Sequence, residues 1–266
     1  VPTAVAKWQG TGNAYLIVRE DAVPFVVGPD QARLLCHPRL GIGADGILAL
    51  SPSAVADVRM RIVNPDGSAS EACGNGTRMV ARFVADGRET VTIETVAGLL
   101  DCRLNADGTV TAHLATARLD GPQYAPSEAP FPYPHRFVSV GNPHVAIRVD
   151  DPARFPLASE GPLIEHHPWL PERANVEVWN RTAPDEVAMR VWERGVGETD
   201  ACGTGACAVA VAAILEGAAT SPVTVHLRGG TLVIDVSATL EIRMTGPAEP
   251  IAEIELSEDL LRRLGA

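Results

Sequence analysis

One hexapeptide occurs twice in this 266-residue chain, and that repetition limits what the chain can fold into more than any other feature. Glu71-Ala72-Cys73-Gly74-Asn75-Gly76 returns as Asp200-Ala201-Cys202-Gly203-Thr204-Gly205, an offset of 129 positions from Cys73 to Cys202. Met60-Arg61-Ile62 returns at the same spacing as Met189-Arg190-Val191, Gly12-Asn13 as Gly141-Asn142, and Val80-Ala81 as Val209-Ala210. A constant offset across separated segments predicts two homologous halves related by a pseudo-twofold.

The local patterns agree with a duplication. Residues 16–18, 58–63, 91–94 and 110–114 are β-rich runs bounded by turn residues, and 145–149, 188–192, 223–227 and 231–236 are their second-half counterparts. Helical signals follow each cysteine motif, over 77–85 before Gly87 and over 206–215 before Gly217. The fold class expected is α+β, with two pseudo-symmetric α/β domains, each of several strands and one apolar helix. The expected division is an N-terminal half over 1–120 carrying Cys73 and a proline-rich connection over 121–134. A C-terminal half over 135–250 carries Cys202, and a tail over 251–266 closes the chain with a short amphipathic helix and returns to the first half.

Composition narrows the function. Apolar residues at 46% and charged residues at 21% belong to a globular chain, and 33 acidic against 22 basic residues give a net charge of −11. Such a surface repels phosphate backbones and anionic lipid, so neither nucleic acid nor a membrane is an expected partner. No apolar run approaches the length of a membrane span, and no basic patch leads into an apolar stretch at the N-terminus, so neither a span nor a signal peptide is expected. Five cysteines, an odd number, do not read as a disulfide framework, and the default is a cytoplasmic enzyme. Lys7 is the only lysine, so any Schiff-base chemistry would have to use it.

Each cysteine motif sets a thiol before a Gly-X-Gly turn that opens a helix. Glycines let backbone approach a ligand closely, and amides at a helix N-terminus favour an anion and lower a thiol's pKa. Asn75 and Thr204 have the side chains of N-cap residues. A single Cys-Gly-X-Gly reads as a small buried hydrophobe at a tight turn; two copies at equivalent places read as chemistry. Inverting a stereocentre needs one base and one acid on opposite faces of a carbon, and a thiolate facing a thiol supplies that pair. Gly41-Ile42-Gly43-Ala44-Asp45-Gly46 matches a dinucleotide fingerprint by letter only, because neither the preceding strand nor the following helix is present. His166 and His167 lack a second ligand cluster, so no metal site is expected.

These residues, over nearly the whole chain, resemble the diaminopimelate epimerase family. The likeness runs through Lys7, Gly10-Thr11-Gly12-Asn13, Gly41 to Gly46, Met60 to Ser68, Cys73 to Gly76, Gly141-Asn142-Pro143-His144, Asn175-Val176-Glu177 and the block from Arg190 to Ala208. The resemblance implies two α/β domains, each a mixed β-sheet wrapped around a central helix, with an amino-acid substrate in the cleft between them. It implies cofactor-independent interconversion of LL- and meso-diaminopimelate, in the lysine and peptidoglycan precursor pathway, by a homodimer. Cys73 and Cys202 align with the catalytic acid/base pair. The amides of Gly74, Asn75, Gly203 and Thr204 would hold the reacting carboxylate, and Asn13, Asn64, Asn142 and Asn175 align with substrate-binding positions. Glu193 and Arg194 would address the distant amino and carboxylate groups, while His144 and Glu193 match positions that adjust the cysteines' ionisation.

Each of these has a plainer reading: the asparagines as turn residues, Glu193 and Arg194 as a solvated pair, His144 as a core histidine. Cys36, Cys102 and Cys207 read as packing residues. The chain departs from the family's pattern at Ala14-Tyr15, where Asp-Phe is usual, at Met79 and at Gly46, where some relatives carry glutamine. Two rival readings stand beside this one. The first is a racemase or epimerase for another amino acid, including the related proline-racemase and phenazine-biosynthesis types. The second is a non-catalytic thiol protein for metal or redox sensing, against which the absence of Cys-X-X-Cys counts.

Overall fold

A computed structural model describes residues 3–70, 73–119, 121 and 131–266 of the chain. It divides into two compact units, Val1–Ala112 with Pro247–Ala266, and His113–Gly246.

The first unit runs β1 (Ala4–Gly10), β2 (Asn13–Arg19), α1 (Pro29–Cys36), β3 (Ile47–Ser51), β4 (Val58–Val63), β5 (Ala69–Ser70), α2 (Gly74–Val84), β6 (Thr90–Thr95) and β7 (Gly98–Leu104), then enters β8 (Val110–Thr116). The second runs β9 (His135–Ser139), β10 (Pro143–Arg148), α3 (Leu157–Glu165), β11 (Asn175–Ala183), β12 (Glu186–Glu193), β13 (Gly197–Thr199), α4 (Gly203–Leu215), β14 (Val223–Leu227), β15 (Gly230–Val236) and β16 (Glu241–Gly246). The chain then rejoins the first unit with β17 (Glu249–Glu255), antiparallel to β1, and α5 (Glu258–Leu264).

The duplication holds at the level of strand register. Leu16 pairs with Ile47 in parallel β2 and β3, as Val145 does with Val176 in β10 and β11. Ile47 opposes Val63 as Val176 opposes Trp192, and Ile62 opposes Ser70 as Val191 opposes Thr199. Each pair keeps the 129-residue offset. Beyond the cysteine helices the correspondence slips: Val58 pairs with Ile93, whereas Val187 pairs with Val225 rather than with Pro222.

Each unit wraps a mixed sheet around one helix. In α4 the run from Ala206 to Ala213 is wholly buried, and its alanines and valines let strands approach from several sides. In α2, Met79, Val80 and Ala81 are buried in the same way, Arg78 lies fully inside and Arg82 reaches the surface.

Two boundaries differ from the expected ones. The division falls inside β8, between Ala112 and His113, not at 120. The chain has joined the second unit by Ala117, which packs with Val138 and donates its N–H to the Leu240 carbonyl. Arg118 bridges to Ser139. At the far end residues 247–250 belong to the first unit, because Trp8 and Gln9 of β1 pair with Pro250 and Glu249. Most of the proline-rich stretch, residues 122–130, lies outside the described residues, while Phe131 is buried with Val145 and Val176.

Candidate active site

In both units the helix begins at the residue after the cysteine, three positions earlier than the apolar run suggests. Cys73 and Cys202 are themselves the N-caps, in extended backbone, and each sulfur accepts the N–H of the third helical residue, Gly76 at 3.2 Å and Gly205 at 3.4 Å. Asn75 and Thr204 are therefore not the caps; they stand second in their helices. A sulfur fills the role that a serine or aspartate oxygen usually fills. The first two N–H groups of each helix, on Gly74 and Asn75 and on Gly203 and Thr204, then lie at the end where the helix dipole favours an anion.

The third position is crowded by a side chain from the neighbouring strand in each unit. A Cβ on Gly76 would sit 2.8 Å from Leu48 Cδ2, and one on Gly205 would sit 2.7 Å from Glu177 Oε1.

In the first unit, Asn75 is buried and gathers its neighbours. Its Nδ2 donates to Asn13 Oδ1 at 2.7 Å, and its Oδ1 accepts from Arg78 Nη2 at 2.8 Å. Arg78 also donates to the carbonyls of Gly74 and Pro247, at 3.3 and 3.2 Å. Asn64 stands apart from this group: its side chain donates to Ser68 Oγ at 2.9 Å, closing a turn. Lys7 donates to the Gly43 carbonyl at 2.6 Å, so the lone lysine braces the 41–46 loop. That loop follows α1 and leads into β3, the reverse of a dinucleotide-binding order. At the departures from the family pattern, the Ala14 N–H donates to Asp45 Oδ2 at 2.8 Å, and the buried Tyr15 ring lies 2.6 Å from where a Cβ on Gly46 would stand.

In the second unit, most of the expected residues form one hydrogen-bonded group. Cys202 is buried, with Thr204 Oγ1 at 3.5 Å from its sulfur. Asn142 Nδ2 donates to Thr204 Oγ1 at 3.4 Å, and Asn142 Oδ1 faces His144 Nε2 at 3.0 Å. His144 Nδ1 lies 2.7 Å from Glu177 Oε1, with both side chains fully buried. Asn175 is a brace, accepting the Arg194 N–H at 2.9 Å and donating to the Pro143 carbonyl at 3.1 Å. Glu193 accepts from the Thr199 hydroxyl and from Cys202. Arg194 is exposed, and its Nη1 donates to the Glu172 carbonyl at 2.9 Å. Asn142 and His144 border a cavity of about 570 Å³, with Phe137, Trp169 and Arg173.

The electrostatics of Cys202 have named causes. Burial pushes its thiol well above the usual range, and the carboxylates of Glu193 and then Glu177 add to this. The Thr204 hydroxyl and the Gly205 N–H oppose it. Burial likewise raises Glu193, against the hydrogen bond from Thr199. Cys36 and Cys102 are pushed up to about 11 and about 12, mainly by burial. Cys207 is buried in α4. Among the described residues, no group of three His, Cys, Asp or Glu side chains is placed to hold a metal ion, and no helix is long and apolar enough to cross a membrane.

Sequence reasoning assigned no part to Arg78 or Glu177. The signal was available in the duplication: the offset sets Arg78 against Cys207 and Glu177 against Leu48, a charge against an apolar residue each time.

Solved structures place the architecture in one class. A phenazine biosynthesis protein of the PhzF family from Bacillus anthracis matches over 97% of this chain and 99% of its own, with a TM-score of 0.69 and 17% identity. A hydroxyproline epimerase from Agrobacterium vitis, solved with bound trans-4-hydroxy-L-proline, matches over 95% and 90%, with a TM-score of 0.69 and 15% identity. The fold is thus the duplicated α/β fold shared by epimerases and PhzF proteins. The diaminopimelate epimerase family model matches residues 5–119 and 136–251. The diaminopimelate epimerase of Rhodospirillum centenum is 44% identical over 96% of this chain and 92% of its own length. That of Thioalkalivibrio sulfidiphilus is 40% identical over 92% and 96%. The chain belongs to the diaminopimelate epimerase family, and it is an isomerase.

Proposed function

We propose that this enzyme interconverts LL- and meso-2,6-diaminopimelate, in lysine and peptidoglycan precursor synthesis, with Cys73 and Cys202 as its proton-transfer pair. The observation that carries the reading is the pair of thiols, each capping its helix at the same place in a duplicated fold. One thiolate removes the α-proton and the other thiol delivers a proton to the opposite face; the reverse reaction exchanges the roles. The reacting carboxylate binds the first two N–H groups of the helices, where an anion is favoured. Burial and two carboxylates raise the Cys202 thiol and so favour its protonated form, the one that delivers a proton.

Arg194, exposed and next to Glu193, reads the far carboxylate, since a planar guanidinium suits two-pronged capture. Asn13, Asn64, Asn142 and Asn175 shape the substrate's surroundings. In this reading the enzyme is a cytoplasmic homodimer and its chemistry uses no cofactor. Incubation with LL-diaminopimelate in deuterium oxide tests it. The expected result is α-deuterium with formation of the meso isomer. No exchange with this substrate, together with turnover of lysine or proline, would assign the chain to another amino acid.

A further inference from the structure

The two units have the same register around their cysteine helices, so the places where they differ in charge are informative. Leu48 in β3 and Glu177 in β11 are equivalent by the 129-residue offset, and each occupies the space that a Cβ on the third-position glycine of its helix would need. Leucine meets the packing demand in the first unit. In the second, the same place holds a carboxylate with no solvent exposure, whose Oε2 has no hydrogen-bond partner among the described residues. Burying a charge that is only half satisfied opposes folding. A residue kept there for packing alone would be apolar, as its counterpart is.

What the carboxylate does is visible in the bonds that lead from it. Glu177 Oε1 takes His144 Nδ1 at 2.7 Å; His144 Nε2 meets Asn142 Oδ1 at 3.0 Å. Asn142 Nδ2 donates to Thr204 Oγ1 at 3.4 Å, and Thr204 Oγ1 lies 3.5 Å from Cys202 Sγ. The direction is consistent. The Glu177 carboxylate and the Asn142 carbonyl are both acceptors, so the imidazole between them donates from Nδ1 to the one and from Nε2 to the other, and the carboxylate orients it. The ring holds the Asn142 carbonyl, which turns the amide NH2 toward Thr204. With its oxygen accepting from Asn142, the Thr204 hydroxyl has its proton free for the sulfur. Cys202 lies between two carboxylates, so a thiolate there depends on such donors.

We propose that Glu177 is a positioning residue for Cys202: by anchoring His144 it holds the Asn142 amide and so aims the Thr204 hydroxyl at the sulfur. The proposal rests on the reading in which Cys202 transfers a proton. Glu177→Leu, which installs the residue of the equivalent position, should lower kcat about ten- to a hundredfold, the usual effect of losing an orienting partner. KM should change less than kcat, because no group that meets the substrate is deleted and only the Asn142 amide is displaced. Glu177→Gln keeps a hydrogen-bond partner for Nδ1, its amide NH2 donating to that nitrogen while Nε2–H stays on the Asn142 carbonyl, and should recover most of the loss. Combining Glu177→Leu with His144→Ala should be no worse than His144→Ala alone.

Thr204→Val, nearly the same size and at a partly exposed position, should reproduce the fall in kcat, and it decides the matter if Glu177→Leu does not fold. A folded Glu177→Leu with normal kcat overturns the proposal, as does a Glu177→Gln no better than Glu177→Leu, losses that multiply with His144→Ala, or an unchanged Thr204→Val. Full turnover by Cys202→Ala would instead sink the two-thiol reading itself. An inactive Cys202→Ala beside an unimpaired Glu177→Leu would sink this proposal alone.

Discussion

Arg78→Met removes a buried cation from the first unit while keeping the length of its stem. Arg78 is fully buried and donates to Asn75 Oδ1 at 2.8 Å and to the Pro247 carbonyl at 3.2 Å. Its third acceptor, the Gly74 carbonyl at 3.3 Å, keeps the intrahelical bond from the Arg78 N–H. The substitution takes a donor from the half-buried Pro247 carbonyl and leaves Asn75 Oδ1 to the Thr11 hydroxyl at 3.2 Å, a combined cost of about 1–3 kcal/mol. Relief from burying a guanidinium offsets part of this. A net loss of about 1–2 kcal/mol is expected, against the roughly 5–15 kcal/mol of a whole domain. Arg82, one turn on, supplies the control. It donates to the neighbouring Ala248 carbonyl at 2.6 Å but is exposed, so Arg82→Met should lose less than about 1 kcal/mol. Urea unfolding gives the global difference. Amide hydrogen exchange over residues 74–84 and 247–255 localises it, because both ends of the lost bonds lie there. Equal effects of the two substitutions, or an Arg78→Met within about 0.5 kcal/mol of the parent, would show that the buried guanidinium does not hold the C-terminal segment to α2.

Other outcomes follow from the site. Cys73→Ala and Cys202→Ala should each abolish net epimerisation, and Cys→Ser at either position should fold normally yet turn over poorly, a hydroxyl being a far weaker acid; normal rates in chiral chromatography of the product would contradict this. Arg194→Lys should lower kcat/KM for diaminopimelate about ten- to a hundredfold, because a point charge replaces a planar fork, and steady-state kinetics with a monocarboxylate comparison checks it. Glu193→Gln removes the stronger of two negative charges that raise the Cys202 thiol, so alkylation of Cys202 by iodoacetamide should begin at lower pH than in the parent; an unchanged onset would show that Glu193 is not among the causes. Cys36 and Cys102, pushed up to about 11 and about 12, should resist the same reagent near neutral pH until the chain unfolds.

The duplication was legible because the cysteine motifs and the strands before them diverged little, and those are the segments whose register the two units share. The start of each helix was not. Glycine and asparagine after the cysteine read as turn residues by propensity, yet the sulfur cap draws them into the first turn. β1 escaped notice because Ala4–Gly10 mixes alanine, lysine and glutamine without alternation, and pairing with β2 and β17 makes it a strand. The division within β8 was hidden for a related reason: hydrogen bonding and burial, not composition, assign residues 113–119 to the second unit. Glu177 sits between Val176 and Val178 in the buried first half of β11. Its purpose depends on His144, which is 33 residues away in sequence and on the adjacent strand.

A helix cap made of sulfur gives this protein a mechanical side to its acid–base behaviour. A thiolate accepts an N–H bond more strongly than a thiol does, so the first turn of α2 or α4 is gripped harder when its cysteine is ionised and more loosely when it is protonated. Under the two-thiol reading a proton leaves one sulfur as another arrives at its counterpart, so in each catalytic cycle one helix end tightens while the other slackens. Stiffness is then traded between the halves along with the proton. An alkylating reagent that ends catalysis also removes a cap from the helix it attacks, so inactivation and local fraying should proceed together.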